Sequence, residues 1–187
     1  DDTNPAITGT IATAQTSVNQ VDNGYGYVQP VLINDASSGT NIRYFGYAGI
    51  PTQIADMPTT GTATFTGTAG GNAPFGDWDK VPVTLTADFQ NGTIGLTGQN
   101  TVPSGQVVAL TITGATIAGN RFSGGTAAAT ADGSAIDISS QHAPAFAGEF
   151  FGYNQPNSVP GDVGALFGSR GAVSTFDLVI LGTTIQP

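Results

Sequence analysis

A chain of 187 residues with 13 acidic side chains against 4 Lys and Arg, a net charge of −9 and no cysteine is long enough to bury a core without staples. Its composition excludes several functions: nucleic acid binding needs clustered Lys or Arg to release counterions, and without thiols there are no disulfides, zinc–thiolate sites, iron–sulfur clusters or cysteine nucleophiles. The acidity either keeps a Lys-poor, Thr- and Gly-rich surface soluble or steers a cationic partner.

The N-terminal Asp1-Asp2-Thr3-Asn4 is neither a charged n-region nor an apolar h-region, so any signal peptide is expected to have been removed. No stretch approaches the roughly 20 apolar residues of a membrane helix, and no transmembrane segment is expected. With 27 Gly, 11 Pro and 39% hydrophobic residues in short runs, the chain reads as folded and all-β, strands joined by turns.

Residues 1–58 form a β-rich handle segment, with strands over Tyr25–Ile33 and Ile42–Ala48 and a loop over Asn34–Asn41. In Tyr44-Phe45-Gly46-Tyr47, alternation exposes either Tyr44 with Gly46 or Phe45 with Tyr47. Tyr44 is the binding candidate here. Ile50-Pro51 and Met57-Pro58 discourage continuous pairing and mark a boundary over Pro51–Thr60.

From Gly61 onward, apolar residues recur at every second position, as in Val83, Leu85, Ala87 and Phe89. Strands are expected at 62–68, 81–89, 93–98, Val107–Thr113, Arg121–Ala129, Ala145–Phe151, Val163–Phe167 and Val173–Leu181. Asn91-Gly92 predicts a tight hairpin, because both residues tolerate positive φ. Ser104-Gly105, Gly119-Asn120, Asp132-Gly133 and Ser169-Arg170-Gly171 punctuate the rest. About eight strands joined by short turns predict an antiparallel up-and-down barrel over residues 59–187, since closure at that size removes both sheet edges.

Pro58-Thr59-Thr60-Gly61-Thr62-Ala63-Thr64-Phe65-Thr66-Gly67 resembles the opening strand of the transferrin-binding protein B type barrel. Leu85-Thr86-Ala87-Asp88-Phe89-Gln90-Asn91-Gly92-Thr93-Ile94 resembles the family's strand, turn and returning strand, and Gly119-Asn120-Arg121-Phe122-Ser123-Gly124 is similar in turn. Gly148-Glu149-Phe150-Phe151-Gly152 and Gly161-Asp162-Val163-Gly164-Ala165-Leu166-Phe167-Gly168 look like its two closing strands. The resemblance spans about residues 47–181 and reports scaffold rather than ligand. Two features depart from it: the segment Tyr153–Pro160 looks longer than the family's usual hairpin, and the first 46 residues carry no motif that can be placed in it. The resemblance implies a Gram-negative bacterial protein, secreted or a surface lipoprotein of the outer membrane, that captures a host or environmental protein or a small ligand such as haem. A lipid anchor, where the family carries one, is expected to lie outside these residues.

Enzyme chemistry finds little support. His142 is the single histidine, which rules out a His-based metal cluster, and there is no Gly-x-Ser-x-Gly elbow. In Ser139-Ser140-Gln141-His142-Ala143-Pro144 it reads as a loop residue before a strand, either an ordinary exposed histidine or a haem ligand, with Met57 as a conceivable second axial ligand. Glu149, the sole glutamate, alternates with Phe150 and is expected to face solvent; a glycosidase would need an Asp partner held across the fold. Asp77 and Asp79 lack the EF-hand spacing for calcium, and no phosphate loop precedes Lys80. No catalytic residue, metal site or resident cofactor is expected, haem being the alternative. The binding candidates are aromatic residues near strand ends and in Gly/Pro-rich loops, where amphipathic rings anchor partners: Phe75, Trp78 and Tyr153, in the loops Asn72–Asp79 and Tyr153–Pro160, with His142 in Ser139–Pro144. The expected function is non-catalytic capture through loops; a haem carrier using His142 and a structural or adhesive surface module are the alternatives.

Overall fold

The computed structural model describes the backbone of residues 28–35, 42–152 and 158–184, and the side chains of all of these except 29–35 and 42–45. Strand β1 (Val28–Asp35) pairs antiparallel with β2 (Ile42–Gly49) in a two-stranded sheet of their own. Residues 25–27 of the first expected strand lie outside the described residues.

The remaining strands form one sheet that closes on itself. They are β3 (Thr62–Asn72), β4 (Trp78–Asp88), β5 (Thr93–Thr101), β6 (Val107–Ala118), β7 (Arg121–Ser123), β8 (Thr126–Ala131), the short β9 (Ser134–Ala135), β10 (His142–Phe151), β11 (Asp162–Arg170) and β12 (Thr175–Thr184). Each barrel strand pairs antiparallel with its neighbour in sequence, and β12 returns to β3. β7 and β8 are two halves of one barrel strand, so the barrel has eight strands, with β9 as an addition.

The break between those halves has a steric cause. Gly124 and Gly125 have φ of 80° and 87°, values costly for a residue with a Cβ, and a Cβ on Gly125 would stand 2.8 Å from the Thr113 carbonyl oxygen. Across the ladder β6 carries a bulge at Thr113-Gly114, with Gly114 at φ 68°. The inward face of β6 therefore changes parity, from Val108, Leu110 and Ile112 to Ala115.

Alternation fills the barrel from all sides. Phe65, Leu85, Leu96, Leu110, Ile112, Phe150, Phe167 and Ile180 are each essentially inaccessible, each contributing on the order of 1.5–3 kcal/mol. Phe150 sits among Phe65, Phe89 and Phe122 at ring separations of 5.7, 5.7 and 5.3 Å. Gly148 faces inward beneath the Phe122 ring, where any Cβ would overlap that ring and the Gly164 carbonyl. At eight strands a barrel interior is only wide enough for its own side chains or one small ligand, and here side chains occupy it.

Two sequence expectations are corrected in the turns and strand ends. Asp88 pairs with Thr93, so Phe89–Gly92 form a four-residue connection rather than a two-residue Asn-Gly turn. Only Gly92 there has positive φ, at 62°, while Asn91 donates from its backbone N–H and Nδ2 to the Asp88 carboxylate at 3.0 and 2.7 Å. The turn with two left-handed residues is Asp132-Gly133, φ 49° and 79°, the type I′ pattern. The last strand begins at Thr175, leaving Val173 outside it.

Candidate functional site

The meander puts alternate connections at opposite rims. The upper rim carries β3–β4, β5–β6, β8–β10 and β11–β12; the lower rim carries β4–β5, β6–β7 and β10–β11. Phe75 and His142 therefore lie at the same end. The β10–β11 connection holding Tyr153 belongs to the other end, and Tyr153 itself lies outside the described residues, as does the side chain of Tyr44.

Phe75 stands at φ 65° with 52% of its surface exposed. Its loop is packed down, since a Cβ on Gly76 would meet Pro103 Cδ at 3.2 Å. Val173, 84% exposed, occupies the β11–β12 turn. The two loops leave neighbouring strands, because Asn72 ends β3 opposite Asp177 of β12. They place two apolar side chains on one stretch of rim.

Trp78 is not a surface residue of that loop. It begins β4 and is 2% exposed, its ring edge-on to Phe176 at 6.1 Å. Strict alternation from Val81, Val83 and Leu85 would turn residue 78 outward. A bulge on β4 intervenes: Ala69 pairs with Val81 but Gly71 with Trp78, and Lys80 takes φ 53°. The extra residue reverses parity and turns the indole into the barrel. Among the described residues its Nε1 has no hydrogen-bond partner.

Asp137 ties the rim together. Oδ1 accepts from the backbone N–H groups of Ser139 and Ser140, each at 3.0 Å, and Oδ2 accepts from the Ser140 hydroxyl and the Ala172 N–H, the latter at 3.0 Å. The Ser174 hydroxyl donates to the Asp137 carbonyl. The Ser140 hydroxyl, followed by these N–H donors, holds the carboxyl far below the usual carboxylate range. One side chain thus joins the β8–β10 connection to the β11–β12 turn that carries Val173.

His142 is the first residue of β10 rather than a loop residue, exposed and in register with Arg170. A bulge between His142 and Ala145 accommodates Pro144, which has no N–H to give the ladder. His142 borders a groove of about 370 Å³ shared with Arg170, Thr175 and Asp177. Met57, a buried core residue after the 3-10 turn Ile54–Asp56, belongs to the lower rim, where Ile54 lies beside Gly119. It cannot share a ligand with His142. Among the described residues, no three His, Asp or Glu side chains converge as a metal cluster would.

A second groove, about 280 Å³, opens on the wall where the hairpin meets the barrel, between Tyr47, Arg121, Phe122 and Glu149. Glu149 was expected to be a solvated carboxylate; its side chain is only 16% exposed and accepts from Arg121 Nε at 3.3 Å. Sequence reasoning passes over this pair because Arg121 and Glu149 meet only through the β7–β10 register. Tyr47 packs edge-on to Phe151, centroids 5.6 Å apart, on an outer apolar cluster with Val28, Val179 and Leu181. Burial, then the Glu149 charge, push its hydroxyl pKa up to about 12, with Arg121 opposing.

No family model matches this sequence, and no curated protein matches it. Solved structures do. A transferrin binding protein B from Haemophilus parasuis Hp5 superposes with a TM-score of 0.58 at 15% identity over 94% of this chain and 39% of its own. The isotype 1 transferrin binding protein B of serogroup B Neisseria meningitidis gives 0.57 at 18%, over 94% and 37%. An intact transferrin binding protein B with N and C lobes gives 0.58 at 18%, over 92% and 39%. This chain thus spans about two fifths of the length of each. These neighbours are named as binding proteins and not as enzymes. At these identities the likeness establishes architecture, and the chain has the fold of the transferrin-binding protein B barrel.

Proposed function

We propose that this protein is an exported, non-catalytic capture protein that takes a protein partner, host-derived or environmental, on the upper rim of its barrel. The observation that carries this reading is the exposure of Phe75 and Val173 on adjacent, pinned loops. The filled interior supports it, since a ligand must then be met from outside. Aromatic and aliphatic anchors held rigid before binding lose little entropy on contact, and rigid scaffolds commonly present binding residues on loops. The named binding partners of the fold neighbours support a macromolecular ligand, and the same likeness is the basis for proposing a bacterial surface or secreted location.

The test is surface plasmon resonance on immobilised protein with purified transferrin and with whole serum, bound material being identified by mass spectrometry. Specific capture that drops at least ten-fold in a Phe75→Ser, Val173→Ser double variant supports the reading. Capture indifferent to both residues overturns the rim assignment, and absence of any capture favours a structural surface module. Titration with haem, read by a Soret shift that His142→Ala removes, tests the haem alternative in the same preparation.

A further inference from the structure

Two of the described cations on the barrel wall differ in their surroundings. Arg121 is neutralised by Glu149, whereas Arg170 makes no ion pair among the described residues and is exposed. Arg170 stands in register with His142 on β10 and with Thr175 on β12, so three outward polar side chains form a row at the strand spacing of about 4.8 Å. The adjacent row is Ala145, Gly168 and Asp177. Ala145 and Gly168 give a floor with almost no relief, and Asp177 closes the far side: a Cβ on Gly168 would lie 3.8 Å from its Oδ1. The resulting groove is about 370 Å³.

The geometry points to this groove as the seat of a carboxylate side chain, an Asp or Glu of the captured protein, with Arg170 as its anchor. This rests on the capture reading above and extends it along the rim. The guanidinium fork matches a carboxylate with two parallel N–H···O bonds. The Thr175 hydroxyl and the His142 ring stand on either side as further donors, and Gly168 adds no side chain to the floor, so a planar carboxylate has room on the Arg170 side of it, with the Asp177 carboxylate as its boundary. Asp177 sets the selectivity. It tolerates one negative charge drawn to Arg170 and repels a second, so an obligate dianion such as sulfate is disfavoured. The net charge of −9 adds to that repulsion and confines attraction to short range.

The test is a heteronuclear NMR titration of the full 15N-labelled chain at pH 7 with N-acetyl-glutamate N-methylamide, its glutamine counterpart and inorganic sulfate. The expected result is saturating shifts at the Arg170 Nε–H and the Gly168 amide in the millimolar range with the glutamate probe, at least ten-fold weaker with the other two. Arg170→Gln abolishes them with an otherwise native spectrum, and Arg121→Gln leaves them in place. Equal shifts from the glutamine probe, or shifts that survive Arg170→Gln, overturn the seat. The failures separate: loss of the carboxylate effect with Phe75-dependent capture intact removes only the seat, while probe binding without protein capture removes the capture reading.

Discussion

Tyr47 of β2 lies over Gly164 of β11, where a Cβ would stand 2.9 Å from the Tyr47 Cγ and 3.2 Å from Phe151 Cε2. The absent side chain at 164 is what lets the hairpin settle onto the wall, with Val28, Val179 and Leu181 around it. Gly164→Val should therefore lift the hairpin and leave the barrel closed, at a cost of about 1–3 kcal/mol for overpacking. Hydrogen exchange is the measurement: faster exchange in residues 28–35 and 42–49, with unchanged protection in β3–β6. A uniform loss of protection would show that hairpin and barrel unfold together.

The same contact makes stability depend on alkaline pH. The Tyr47 hydroxyl is held to about 12, chiefly by burial and then by Glu149, against about 10 in an unfolded chain. A folded pKa above the unfolded one means that its contribution is complete below pH 10 and is lost as pH rises towards 12. Tyr47→Phe should flatten denaturation midpoints across that interval. Glu149→Gln should lower the Tyr47 pKa in an ultraviolet titration near 295 nm, because it removes a charge that opposes tyrosinate.

Trp78 is the one tryptophan and it is buried, so its emission should be blue-shifted in the native protein and move to the red at the same denaturant midpoint as the far-ultraviolet signal. Trp78→Ala should cost about 3–5 kcal/mol. Trp78→Phe should cost less, because it also deletes the unpartnered Nε1 donor. Lys80→Val tests the bulge that turns the indole inward: a β-branched residue at φ 53° should destabilise by at least about 1–2 kcal/mol. A neutral outcome would mean that the bulge is not strained.

Much of the barrel was legible in the sequence because its signals are local. Val83, Leu85 and Ala87 alternate on one strand, and Gly119-Asn120 and Asp132-Gly133 close two-residue turns, so strand number and order follow from neighbouring residues. The errors fall where one residue breaks the period. The bulge at Asp79-Lys80 turns Trp78 from a loop candidate into core, and Asp88 converts the Asn91-Gly92 turn by bonding Asn91. Features made by long-range register were invisible: Glu149 met by Arg121, Arg170 beside His142, and Asp137 reaching Ala172. Each depends on which strands become neighbours, and no spacing along the chain records it.

The Asp137 clasp should govern rim order at acid pH. Its carboxyl titrates well below the usual range because the Ser140 hydroxyl and the N–H groups of Ser139, Ala172 and Ser140 all donate to it. A depressed folded pKa stabilises above the unfolded value of about 3.9, and that contribution fades as pH falls below it towards the folded value. Across that interval the clasp weakens, and near the folded value the β8–β10 connection should part from the β11–β12 turn. Asp137→Asn should bring the same loosening to neutral pH, because the amide keeps one acceptor oxygen and cannot serve all four donors. The readout is amide exchange at Ala172 and Ser139, faster in the variant at pH 7, while Leu85 and Leu110 deep in the barrel keep their protection. Wild-type and variant should converge only as the pH approaches the folded value of the Asp137 carboxyl. If Ala172 exchanges at the same rate in both at pH 7, the rim is held by the Ser174 contact to the Asp137 carbonyl instead, and Ser174→Ala becomes the variant that frees Val173.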